Sequence, residues 1–173
     1  GDALLLYRSI EQDADLPLSG KLVAILAAFY QRRRELADDN ACRCQACTRI
    51  GALELKMIVH RGPVMETHIA GFHALAGIPV IEAHRLLKNA VFARRYLLAT
   101  AAAEPLLTDL PDWPRSRLKE AMDDGSTLDV VAYGFEPDDL PRMASSRRLP
   151  RPVKRACDLC HKVGQGLKDL GPA

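Results

Sequence analysis

The chain is expected to fold as an α/β sandwich, a mostly antiparallel sheet with helices on one face. Three observations predict this. Leu53, Leu55, Met57 and Val59 alternate with Glu54, Lys56, Ile58 and His60, the two-residue period of a strand. After Pro79 the apolar residues Val80, Ala83, Leu87, Ala90 and Val91 switch to helical spacing. A further strand-like run, Leu128–Phe135, then closes the ordered part of the text.

Taken in order, Ala3–Tyr7 is a short apolar run and reads as a buried strand. Arg8–Gly20 is acidic and contains Pro17, so it reads as a loop, with Ser19 placed to cap a helix. Leu22, Ile25, Leu26, Phe29 and Tyr30 form a helical stripe, which sets a helix over 20–36. Arg32-Arg33-Arg34 falls in its last turns, where cations suit the helix dipole, and reads as a solvated helix end. Two strands are expected over 53–60 and 64–69, joined as a hairpin through Arg61-Gly62-Pro63. Ala70–Pro79 reads as a glycine-containing loop. A helix follows over 79–92, since Pro79 suits a first turn. Tyr96–Thr100 reads as a strand, Ala101–Leu110 and Pro114–Met122 as short helices, and Asp124-Gly125 as a turn. Residues 1–135 make one domain and 136–173 a Pro-, Arg- and Ser-rich tail ending in Cys157-x-x-Cys160-His161.

With 173 residues, 48% hydrophobic and 27% charged, the composition is that of a globular domain with a real core. A net charge of +2 does not argue for a nucleic-acid partner. No run of about 18 apolar residues is present, so no membrane span is expected. The opening Gly1-Asp2 lacks a basic start and an apolar core of signal-peptide length, which sets a cytoplasmic location as the expectation. The strand-like opening without an initiator Met reads as that of a fragment.

The stretch Leu53–Asn89 resembles the strand, R-x-G, strand, glycine loop and A-x-R helix of class III nucleotidyl cyclase domains. Arg61-Gly62 is a shortened form of R-x-G, and Gly77-Ile78-Pro79-Val80-Ile81-Glu82-Ala83-His84-Arg85 matches the start of the helix. Gly1-Asp2 before Ala3–Tyr7 is similar to the G-D strand of the same fold, and the resemblance covers roughly residues 1–135. His84–Asn89, with a cysteine cluster before the first strand, looks closest to an uncharacterised bacterial cyclase-like family.

The resemblance implies a nucleoside triphosphate partner, Mg or Mn at Asp2, a signalling role, and a homodimer or a cyclase-like partner subunit. It implies Arg85 as the transition-state arginine, with Lys88 and Asn89 on the phosphate side. Attack of a ribose hydroxyl on a phosphate needs metal ions and a guanidinium to neutralise charge. The other metal aspartate and the base-reading lysine of such domains would lie before residue 1. The position that orients the ribose holds Ile81, and the base-reading position holds Ala74; neither side chain can make the required hydrogen bond. The expectation is therefore a degenerate cyclase-like domain with a regulatory or nucleotide-binding role. The alternative is an active adenylate or guanylate cyclase.

Cys42, Cys44 and Cys47 carry a separate signal. C-x-C-x-x-C in a chain without secretory features points to metal or redox use rather than to structural disulfides. Three thiolates leave zinc one ligand short of a tetrahedron, and His60, His68, Cys157, Cys160 and His161 are candidates for the fourth. The corresponding function is a zinc-binding structural or interaction module.

Overall fold

A computed structural model describes residues 3–9, 18–38, 40, 42, 44–69 and 71–142. Its first element is α1 (Leu18–Asp38). Val23, Leu26, Ala27 and Tyr30 fall at i, i+3, i+4 and i+7, and all four are buried. Ser19 lies inside this helix rather than ahead of it, and its buried Oγ accepts a hydrogen bond from the Asp109 N–H at 3.4 Å. The arginine triplet is likewise not at the helix end. Arg32 pairs with Glu35 at 2.7 Å, Arg33 reaches the Leu53 carbonyl at 2.6 Å, and Arg34 reaches Asp138 at 3.2 Å. Arg33 thus pins the segment that follows α1, instead of merely being solvated.

The main sheet has four strands in the order β1 (Met57–Val59), β4 (Tyr96–Thr100), β6 (Thr127–Gly134), β5 (Arg115–Ala121). β1 runs parallel to β4; the β4–β6 and β5–β6 pairs are antiparallel. All five residues of β4 are buried, because this strand has neighbours on both sides and packing on both faces. Leu97 and Ala99 face α1 together with Val131, Tyr133, Trp113 and Phe135. Tyr96 and Leu98 face the other way, with Val130, Ala132 and Leu86 of α3 (Ile78–Leu86). The expectation of helices on one face is corrected: α1 covers one face and the end of α3 touches the other. Strand alternation alone cannot tell whether one or both faces will be covered.

The strand expected over 3–7 is not formed. Ala3–Tyr7 is neither strand nor buried, and Leu4 and Leu6 are 83% and 68% exposed. The hairpin expected across Arg61-Gly62-Pro63 is also corrected. β1 pairs with β4, whereas β2 (Met65–Ile69) pairs with β3 (Phe72–Ala76) in a separate two-stranded ribbon. The turn belongs to Gly71, whose φ of 83° suits glycine and not an L side chain. Residues 72–76, expected as loop, are therefore strand. Gly62 serves close packing: a Cβ there would lie 2.4 Å from Pro79 Cγ.

α3 ends at Leu86, short of the expected residue 92. Asn89 stops it: its Nδ2 donates to the Leu86 carbonyl at 2.6 Å, and its Oδ1 accepts from the Val91 N–H at 3.0 Å and the Tyr96 hydroxyl at 2.8 Å. Side-chain bonds of this kind satisfy backbone groups that a helix end leaves open. The helix expected at 114–122 is β5, and 101–110 holds only a short turn, Glu104–Leu106. Pairing with β6 overrides the local reading: Arg115↔Tyr133 through Ala121↔Thr127 form a continuous register. The strand at 96–100 and the Asp124-Gly125 turn are as expected. Ser126 donates from its N–H and its hydroxyl to Asp124 Oδ1, at 2.9 and 2.6 Å. Packing continues past residue 135, since Leu140 is buried in the core on the α1 side.

Candidate metal centre

The cysteine cluster lies in the connection from α1 to β1. α2 (Gln45–Thr48) is a single turn with Cys44 at its N-cap, where the Cys44 sulfur accepts from the Cys47 N–H at 3.4 Å. A second turn, Ile50–Ala52, leads on toward β1. Asn40 fixes the connection from both ends: its Oδ1 accepts from the Cys42 N–H at 2.9 Å, and its Nδ2 donates to the Cys47 carbonyl at 2.7 Å. Thr48 closes the turn by donating from its N–H to the Cys44 carbonyl at 3.0 Å.

These bonds bring three sulfurs together. The Sγ atoms of Cys42, Cys44 and Cys47 all lie within 4.8 Å of one another, close enough to hold a metal ion. Cys42 is buried, Cys44 and Cys47 are half-buried, and none of the three is in a disulfide. The Cys44 thiol is held below its ordinary acidity value of 9.0 by the Cys47 N–H first, then by the Cys47 and Cys42 thiols. An acidified thiol beside two others suits metal ligation, because the thiolate is the ligand.

His60 does not join the cluster. Its Nδ1 is 3.0 Å from the Thr100 hydroxyl, and its Nε2 lies 2.9 Å from Glu82 Oε2 without the alignment of a hydrogen bond. This buried imidazole ties the ends of β1 and β4 to α3. Arg85 pairs with Asp123 in the β5–β6 turn. Lys88 is exposed just beyond α3, and Asn89 is occupied in the cap described above. The four positions given nucleotide-site roles are thus not shown converging: Arg85, Lys88 and Asn89 lie at one end of α3, and Asp2 lies outside the described residues. Cys157, Cys160 and His161 lie outside them as well.

Sequence reasoning missed an ionic hub centred on Glu54, which follows the cluster along the chain. Glu54 accepts two hydrogen bonds from Arg95, Nε to Oε2 at 2.8 Å and Nη2 to Oε1 at 2.9 Å. It also accepts from the Tyr30 hydroxyl at 3.0 Å and lies 3.3 Å from Arg33. Arg95 goes on to Glu136 at 2.5 Å. The hub joins α1, the start of the sheet and the residues after β6. No local signal marks Glu54, which reads in sequence as the polar partner in an alternating strand.

Fold and site together define a mixed α/β domain with a three-cysteine cluster suited to a metal ion. Among the described residues no helix is long and apolar enough to cross a membrane. The chain belongs to the family described as "Protein of unknown function (DUF2652)", whose model matches residues 1–96. It is also similar to "Uncharacterized protein Rv2561/Rv2562" of Mycobacterium tuberculosis (strain ATCC 25618 / H37Rv), with 38% identity over 72 residues. That match covers 42% of this chain and 34% of the relative, so the chain spans about a third of the relative's length. No solved structure matches the chain.

Proposed function

We propose that the chain is a zinc-binding module whose ion is held by Cys42, Cys44 and Cys47. The observation that carries this is the convergence of three sulfurs within 4.8 Å. Tetrahedral zinc with Zn–S bonds of about 2.3 Å needs sulfurs about 3.8 Å apart. The cluster is therefore within about 1 Å of the required geometry, a gap that side-chain rotation closes. Thiolates are soft donors and select zinc over magnesium or calcium. The fourth position falls to solvent or to a donor beyond the described residues. Ligation would lock the end of α1 to the start of the sheet and present a rigid turn, Gln45–Thr48, on the surface. The test is elemental analysis of the full chain purified without added zinc. About one zinc per chain is expected, falling to background in Cys44→Ser and Cys47→Ser. Folded, metal-free protein that takes up no added zinc would reject the reading.

A second reading keeps the cyclase resemblance, as a degenerate domain that binds a nucleotide. It is favoured by the order of ribbon, α3 and β4, followed by an antiparallel strand pair, with Arg85 on the last turn of α3. The side chains of Arg85 and its partner Asp123 are 39% and 71% exposed. An exposed pair contributes at most about 1 kcal/mol, so a phosphate can displace the aspartate. With Ile81 and Ala74 at the two pocket positions, cyclase turnover is expected to be undetectable in the chain alone. A homodimer repeats the same defects by symmetry. Weak nucleoside triphosphate binding that Arg85→Ala lowers further, measured by calorimetry, is the expected result. Turnover abolished by Arg85→Ala would instead make the chain an enzyme.

A further inference from the structure

The same sulfurs have a second chemistry. Cys44-Gln45-Ala46-Cys47 is a C-x-x-C pair, with Cys44 at the N-cap and Cys47 three residues on in the same short turn. The pair is already oriented: the Cys47 N–H points at the Cys44 sulfur at 3.4 Å, and the two sulfurs lie within 4.8 Å. A disulfide needs sulfurs about 2.05 Å apart. The backbone of the turn is held by Thr48 to the Cys44 carbonyl and by Asn40 to the Cys47 carbonyl. A disulfide also needs Cβ atoms about 3.5–4.5 Å apart, so side-chain rotation with a small adjustment of this short turn is the movement left to make. Accessibility sorts the three cysteines, since Cys44 and Cys47 are half-buried and Cys42 is buried.

We propose that Cys44 and Cys47 form a reversible dithiol–disulfide switch, oxidised by a low-molecular-weight disulfide, and that oxidation expels the ion. The switch between metal-bound and oxidised forms rests on the zinc reading; the disulfide itself does not. In the first step the Cys44 thiolate attacks one sulfur of the oxidant, forming a mixed disulfide and releasing one thiolate of the oxidant. In the second, Cys47 attacks the Cys44 sulfur, forming the Cys44–Cys47 bond and releasing the other. Two electrons pass from the cysteine sulfurs to the oxidant's S–S bond. The two cysteine thiol protons end on the two small thiols, or, in the zinc form, those thiols take protons from solvent. Zinc, where bound, would lose two of its three thiolates, keeping Cys42 and at most the fourth donor, and would dissociate.

The test uses the full chain, metal-free and zinc-loaded, in mixtures of oxidised and reduced glutathione. Remaining thiols are alkylated and the protein is cut with trypsin. Cleavage after Arg43 and Arg49 isolates Cys44 and Cys47 in one peptide, apart from Cys42 and from Cys157 and Cys160. The expected result is loss of both alkylation sites in that peptide in oxidised buffer, and their return with excess reduced glutathione. Zinc should appear in solution in step with the disulfide, and Cys47→Ser should stop at a mixed disulfide on Cys44. If both sites in metal-free protein stay alkylatable under excess oxidised glutathione, the proposal is overturned. A cross-linked Cys42–Cys44 or Cys42–Cys47 product overturns it equally. Oxidation of a chain that never takes up zinc would support the disulfide and remove the zinc reading, so the two failures are distinguishable.

Discussion

Glu54→Gln is expected to destabilise the fold by about 2–3 kcal/mol, near the lower end of the cost of breaking a buried ion pair. The Glu54 side chain is 15% exposed and accepts a forked pair of bonds from Arg95, a geometry stronger than a single contact. Gln keeps one acceptor and loses the charge, which leaves Arg95 and Arg33 facing a neutral amide. The measurement is urea unfolding, read as a fall in midpoint at constant slope. Asp129→Asn is the comparison. Its pair with Lys119 spans 3.1 Å between side chains 65–70% exposed, so a change below about 0.5 kcal/mol is expected there. Equal small effects at both positions would show that the hub contributes no more than a surface pair. The pH dependence follows from the same contacts. Burial pushes the Glu54 carboxyl up, but bonds from Arg95 and Tyr30 and the charges of Arg95 and Arg33 outweigh it, and the net value lies below 4.5. A depressed carboxylate contributes stability that is fully present above its unfolded value and lost as pH falls through the folded one. The contribution should thus be complete above about pH 5 and fade below 4.5, and Glu54→Gln should remove that part of the acid sensitivity.

Zinc is expected to raise stability by about 4 kcal/mol when its free concentration is a thousandfold above the dissociation constant. For a chain of this size that corresponds to roughly 10 °C in melting temperature. The reason is linkage: the folded turn presents converged sulfurs, and the unfolded chain does not. Because ligation requires deprotonated thiols, the shift should shrink as pH falls. Thermal melts with zinc and with a chelator measure it, and amide hydrogen exchange over 44–53 locates it. Cys44→Ser should abolish both effects. Identical melts and identical exchange with zinc and chelator would mean that the three sulfurs stabilise nothing through a metal.

Local rules carried those parts of the fold whose signal is short-range. The stripe Leu22, Ile25, Leu26, Phe29 and Tyr30 places α1, because burial of one helical face leaves a 3.6-residue mark on the sequence. The buried face is nevertheless centred on Val23, Leu26, Ala27 and Tyr30, and Ile25 is 41% exposed. Tyr96–Thr100 and Asp124-Gly125 were legible from equally local signals: a short apolar run after Arg94-Arg95, and an aspartate followed by glycine. Cys42, Cys44 and Cys47 were legible as candidate ligands from spacing alone, since six residues of chain cannot carry them far apart.

Pairing was not legible. Leu53–Ile69 looked like one hairpin because strand period and turn residues are the same whichever neighbour a strand finds. Only the three-dimensional arrangement shows that β1 lies beside β4, nearly forty residues on, and that β2 turns back at Gly71. Arg115–Ala121 carries exposed charges on a weak pattern, and its strand state is imposed by β6 rather than by its own residues. Asn89, assigned to a phosphate by resemblance, is engaged by the Leu86 carbonyl and the Tyr96 hydroxyl. Glu54 became a hub only when Arg33, from twenty-one residues before it, and Arg95, from forty-one after it, were folded onto it. By itself the sequence determined where helical and strand periods begin and which residues can ligate a metal, since both are properties of neighbours along the chain. The tertiary structure decided which strands meet, which faces are covered and which charges share a site, because those depend on contacts between residues that the sequence keeps far apart.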